Sequence, residues 1–164
     1  MYKLTKASLK EAARLVESRG AMWRFGRDET GIYEWIDAAY TRTVVVVERE
    51  GRVVGVLEAS KPIRTPVIGF VPHILAITVA DEYLGRGGFI VKELLTKLAQ
   101  ACPDSPAALV NPQVTIPIVV AMTKFFGGAS IRENLLLPSN VREQCAHIYC
   151  LPLKTLAIKA RNKT

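Results

Sequence analysis

A chain of 164 residues with 49% apolar and 23% charged side chains has the size and make-up of one ordinary globular domain, which excludes a disordered or fibrous protein. Twenty-two Lys and Arg against fifteen Asp and Glu leave a net charge of +7, a field that favours an anionic partner: nucleic acid, a phosphate-bearing cofactor or an acidic protein. No apolar run reaches the ~18–20 residues of a membrane-spanning helix, and the longest, Val114 to Met122, is broken by Thr115 and Pro117.

Met1 to Lys6 lead into a polar amphipathic stretch instead of the apolar core of a secretory signal, so a cytoplasmic protein is expected. Cys102, Cys145 and Cys150 form an odd set without a C-x-x-C pair, as suits reduced thiols. Cys145, His147 and Cys150 offer three ligands where structural zinc takes four, and no metal is expected.

In chain order, Tyr2 to Thr5 read as a short strand. Ser8 with Glu11 reads as a capping box, and Leu9, Ala12, Ala13 and Val16 as the apolar stripe of a helix over Leu9 to Arg19, stopped by Gly20. Thr30 caps a second helix carrying Ile32, Trp35, Ile36, Ala39 and Tyr40. The runs Val44–Val47 and Val53–Leu57 form a hairpin across Arg49-Glu50-Gly51-Arg52, and their near-continuous apolar character predicts a sheet covered on both faces. After Pro62, Pro66 and Pro72, residues His73 to Val79 read as a buried strand, followed by a glycine-rich turn and a helix over Phe89 to Ala101. Ala107 to Val110 predict a strand, Ile116 to Phe126 a helix stopped by Gly127-Gly128, and Ser130 to Leu136 and His147 to Leu153 two closing strands. The fold class is therefore a mixed α/β or α+β sheet domain over residues 1–155, followed by a basic tail over 156–164.

The turn carries the chemistry. Gly85, Gly87 and Gly88 lack Cβ atoms, so a ligand can approach the main chain, and the helix that opens near Gly88 presents unpaired N–H groups. Its dipole and Arg86 add positive potential, a combination that binds phosphate. The spacing G-x-G-G lacks the Lys-Ser/Thr of a nucleotide-triphosphate loop and the third glycine of a dinucleotide fingerprint.

The segment from Val79 to Phe89 resembles the pyrophosphate loop of the GNAT acetyltransferase superfamily, Q/R-x-x-G-x-G/A between a strand and a helix. Glu82 falls at the Q/R place, Gly85 and Gly87 at the small positions and Arg86 at a commonly basic one. Leu84, Gly88 and Phe89 depart from the usual residues. The resemblance implies a mostly antiparallel sheet with a splayed strand pair. Acetyl-CoA, or another acyl-CoA, would lie between the strand ending at Val79 and the strand near Ala107 to Val110. It implies main-chain pairing near Ile77 and Val79, phosphate contacts from Gly85, Arg86, Gly87, Gly88 and Phe89, and a role for Asn111. The family's Glu base would fall at Val71, leaving His73 as the nearest titratable group on that face. Its usual Tyr acid would fall at Thr123, leaving Tyr149 or Tyr83 as substitutes. Trp23, Phe25 and Tyr33, with Arg24 and Arg27, occupy the region that walls the acceptor site in that family.

Two functions stay open at this point. One is direct acetyl transfer from acetyl-CoA to an amine of a small molecule or protein, with neither nucleic acid nor membrane as partner and a homodimer left open. The other is a GNAT-like module that lacks catalysis and binds a protein partner, motivated by the missing Glu and Tyr.

Overall fold

The valine runs pair as β1 (Arg42–Arg49) and β2 (Arg52–Ser60), and the reversal between them takes positive φ at Glu50 (53°) and Gly51 (76°). Glycine enters that region at no steric cost, so the turn depends on Gly51. The computed structural model describes residues 6–18, 35–65, 69–83, 88–106, 108–110, 129–131 and 148–151. Helix α1 (Lys6–Ser18) precedes the hairpin, and α2 is described over residues 35–39. Then follow β3 (Ile63–Thr65), β4 (Gly69–Val71), β5 (His73–Val79), a 3-10 turn (Asp81–Tyr83) and α3 (Gly88–Ala101). The last strands are β6 (Ala108–Val110), β7 (Ala129–Ile131) and β8 (Ile148–Leu151).

Six strands form one sheet in the order β1-β2-β5-β6-β8-β7, antiparallel throughout except for the parallel pair β5–β6. Alternation along the strands sends Val45, Val47, Leu57, Ala59, Ile74, Ile77 and Val79 to one face, where they pack on Ile90, Val91, Leu94, Leu95 and Leu98 of α3. Val44, Val46, Val53 and Val56 go to the other, against Leu9, Ala12, Ala13 and Val16 of α1 and Trp35, Ile36 and Ala39 of α2. Both faces are covered, as the continuous apolar runs require. Burying each of the large aliphatics contributes about 1.5–3 kcal/mol. Gly55 on β2 lets α3 come close: a Cβ there would stand 2.7 Å from Ile90 Cγ2 and 3.2 Å from Leu94 Cδ1. At the far end of the hairpin Arg49 pairs with Glu93, tying β1 to α3.

Several expectations need correction. The helix starts at Lys6, so Ser8 lies inside its first turn and does not cap it; its hydroxyl donates instead to Glu48 Oε1 of β1 at 3.2 Å. Tyr40 is exposed because α2 has ended and the chain is turning toward β1. The proline-punctuated stretch holds a small hairpin, β3 with β4, which the sequence reading missed, and Val71 belongs to it instead of to the motif strand. Residues 2–5, the helix expected over 116–126 and the tail lie outside the described residues. Among those described, no helix is long and apolar enough to cross a membrane.

Candidate active site

Strands β5 and β6 pair only through His73↔Leu109 and Ile74↔Val110, while β5 continues to Val79. On its other side β5 stays paired with β2 up to Val79↔Gly55. The Ala80 N–H donates to Val54 O at 2.8 Å, which sets the hydrogen-bond phase. Ala80, Thr78 and Ala76 therefore turn their polar groups to β2, and Val79, Ile77 and Leu75 turn theirs to the opposite edge, the side of β6. Among the described residues no strand pairs with β5 there beyond Ile74. An open edge in the middle of a sheet presents donors and acceptors that need partners. The register shift between Glu58↔Ala76 and Ala59↔Ile74 leaves Leu75 as an extra residue, a β-bulge in β5.

At the C-terminal end of that edge the chain makes the 3-10 turn and enters α3 at Gly88. The first N–H groups of this 14-residue helix have no partner within it, and their dipole favours an anion. Phe89 is exposed and its ring meets Tyr83 edge-on at 6.1 Å, so Tyr83 is committed to flanking the turn. Glu82, at the motif's Q/R place, accepts a hydrogen bond from Arg52 Nη2 at 2.8 Å. Gly85, Arg86, Gly87 and Asn111 lie outside the described residues, as do Trp23, Phe25 and Tyr33.

His73 opens β5 and is buried; its backbone N–H donates to Ser60 Oγ at 2.9 Å. Its Nε2 is buried without a hydrogen-bond partner, and burial holds the imidazole below its ordinary value of 6.5. It is a neutral ring at physiological pH. The registers place Tyr149 of β8 in one cross-strand row with Val110 and Ile74, the last described pair of β5 with β6.

One cluster escaped the sequence reading. Glu58 of β2 is 2% exposed, and its Oε1 accepts from Trp35 Nε1 at 3.0 Å and from Arg42 Nη1 at 2.8 Å. The Arg42 guanidinium lies 5.7 Å from the Trp35 ring centroid, and its Nε donates to Ala38 O at 3.4 Å. Arg42 Nη2 is buried without a partner. The signal was a lone carboxylate inside an apolar strand, between Leu57 and Ala59.

No family model matches the sequence, and no curated protein matches it. Solved structures do. A GNAT family acetyltransferase from Brucella melitensis in complex with acetyl-CoA is 17% identical, with a TM-score of 0.55 over 92% of this chain and 85% of its own. The ribosomal-protein-S18-alanine N-acetyltransferase from Escherichia coli is 14% identical, with a TM-score of 0.58 over 93% and 92%. An N-acetyltransferase from Staphylococcus aureus Mu50 is 16% identical, with a TM-score of 0.59 over 93% and 96%. At such identities the likeness is one of architecture, and by it the chain has the fold of the GNAT acetyltransferases.

Proposed function

We propose that the protein is an acetyl-CoA-dependent N-acetyltransferase that passes the acetyl group directly to an amine. The open edge of β5 carries this reading. Leu75, Ile77 and Val79 offer main-chain donors and acceptors in line, which suits the two amides of a pantetheine arm, and the start of α3 stands at the end where a diphosphate would rest. Gly85, Arg86, Gly87, Gly88 and Phe89, with Asn111, complete the donor site on this reading, and Trp23, Phe25 and Tyr33 wall the acceptor. The fold neighbour from Brucella melitensis is itself a complex with acetyl-CoA.

Acetyl-CoA supplies an activated thioester: the C–N bond forms as the C–S bond breaks, and CoA leaves as the thiol. The protein's part is positioning and proton transfer. The neutral His73 Nε2 takes the proton that the amine sheds, its lowered pKa keeping it unprotonated near neutrality. A backbone N–H released by the bulge at Leu75 is placed to polarise the carbonyl, and Tyr149, in the row of Ile74, returns a proton to the leaving thiolate. His73 was the residue to which sequence and resemblance pointed, and its buried nitrogen without a partner, beside the described β5–β6 pairs, supports that role over partner binding alone.

Calorimetric titration with acetyl-CoA tests the donor site. Heat of binding with the natural chain, lost in Gly87→Trp, supports it; no heat with the natural chain overturns it. Thiol release with a panel of amines then separates transfer from binding, and turnover abolished by His73→Gln with acetyl-CoA affinity retained is the expected outcome. Binding without turnover on any amine would overturn catalysis.

A further inference from the structure

Among the described residues two side-chain polar atoms are buried without a partner, Arg42 Nη2 and His73 Nε2. They belong to the same face of the sheet. Val44 and Val46 of β1 and Val56 of β2 pack toward α1 and α2, so alternation puts Arg42, Glu58 and Ser60 on that side. Ile74 faces α3, which sends His73 to the opposite side, that of Arg42. Ser60 joins the two: it is the cross-strand partner of Arg42, and its Oγ accepts the His73 N–H. The backbones of Arg42 and His73 therefore stand two strand spacings apart, about 10 Å, within reach of one small molecule.

The guanidinium is held in place. Nη1 is spent on Glu58, Nε on Ala38 O, and the plane lies near the Trp35 ring, while the pair with Glu58 engages a single carboxylate oxygen. Nη2 is left with two N–H donors, buried and without a partner among the described residues. Leaving a buried charged donor unsatisfied costs several times what a neutral hydrogen bond contributes, so a ligand acceptor is the natural partner. Its charge follows from the neighbours: Glu58 already neutralises Arg42, and a second buried carboxylate would stand uncompensated. The fitting group is a neutral oxygen.

We propose that Arg42 and His73 together select the acceptor, Arg42 Nη2 donating to a carbonyl or hydroxyl oxygen of the substrate whose amine nitrogen meets His73 Nε2. This rests on the acetyltransferase reading and names its substrate class: amines that carry an uncharged oxygen acceptor, in preference to amino acids with a free carboxylate.

The test uses primary amines of one to four methylenes ending in carboxamide, carboxylate or methyl. Each is assayed for thiol release and titrated against the protein alone, with the natural chain, Arg42→Lys and Arg42→Met. Lysine keeps a positive charge for Glu58 but has no second planar donor, which guards against a variant that fails to fold. At the best chain length the carboxamide should exceed its carboxylate and methyl counterparts at least tenfold in kcat/KM or affinity, and Arg42→Lys should erase that preference while binding acetyl-CoA as the natural chain does. A carboxylate or methyl compound matching the carboxamide, a preference that survives in Arg42→Lys, or no binding of any of these amines overturns the proposal. Failure of acetyl-CoA to bind the natural chain would instead strike the acetyltransferase reading beneath it.

Discussion

Replacing Gly55 by alanine tests how α3 is seated. The new methyl would stand 2.7 Å from Ile90 Cγ2, a distance real carbon pairs do not adopt. Ile90 cannot swing aside, because a β-branched residue in a helix is confined to one χ1 well and its Cγ2 is fixed by that torsion. The helix must move instead, away from a face where Ile90 and Leu94 are fully buried. Overpacking of this kind costs about 1–3 kcal/mol, offset by roughly 0.5–1 kcal/mol because alanine loses less backbone entropy than glycine. The net effect runs from about zero to a loss of roughly 2.5 kcal/mol, which for a chain of this length lowers Tm by up to about 10 °C. Thermal unfolding followed by circular dichroism measures it. Ile90→Ala alone should cost about 2–5 kcal/mol, and in the double variant the methyl added at position 55 enters vacated space, so the two effects should fall short of additivity by about 1 kcal/mol or more. Additive losses in the double variant would refute close approach as the reason for glycine at this position.

Three further outcomes follow from the same geometry. Glu58→Ala should destabilise by about 3–5 kcal/mol in denaturant titrations, since it strands Arg42 as a buried charge, whereas Glu58→Gln keeps an acceptor for Trp35 Nε1 and should cost less; a loss below about 1 kcal/mol in Glu58→Ala would contradict the ion pair's importance. Burial lowers the pKa of His73, so below the unfolded value of 6.5 the unfolded chain binds a proton that the folded chain refuses. Stability should be full above that pH and decline as pH falls toward the lowered folded value, with a slope in this window that His73→Gln reduces; an unchanged slope would refute a buried neutral imidazole. Cys102 is 5% exposed, and burial pushes its thiol up, so iodoacetamide should spare it in the folded protein and modify it in urea, as read by peptide mass spectrometry; rapid labelling of the folded chain would contradict its place in the core.

The elements legible in the sequence were those with strong local patterns. The paired valine runs, the strand His73–Val79 and the helix after the glycine-rich turn carry periodicities that few arrangements satisfy, and each is found where it was expected. The β3–β4 hairpin was not legible because three-residue strands between prolines show no period. Ser8 misled because its hydroxyl has a tertiary partner, Glu48, that no local rule can supply. At the candidate site, the sequence placed His73 at the start of the strand that the structure shows as β5, and the need for a free backbone edge near Ile77 and Val79 came with the resemblance. Arg42 could not be found, since its importance depends on Glu58 and Trp35 converging from elsewhere in the chain.

The bulge at Leu75 changes which neighbour the polar groups of β5 serve. At the start of β5 the Leu109 N–H donates to Pro72 O at 2.9 Å, so the polar groups on that phase of the strand serve β6. Beyond the bulge Ala76, two residues past Ile74, serves β2 instead. One extra residue has exchanged the two edges, and β6 could keep its pairing only by carrying a matching bulge of its own. Its described pairing with β5 ends at Val110, and among the described residues no strand pairs with the rephased donors and acceptors of Leu75, Ile77 and Val79. Such an edge invites aggregation unless something covers it. A bound arm of amides would satisfy the same groups, so on the acetyltransferase reading the bulge sets the phase of the donor edge and lies two residues from His73.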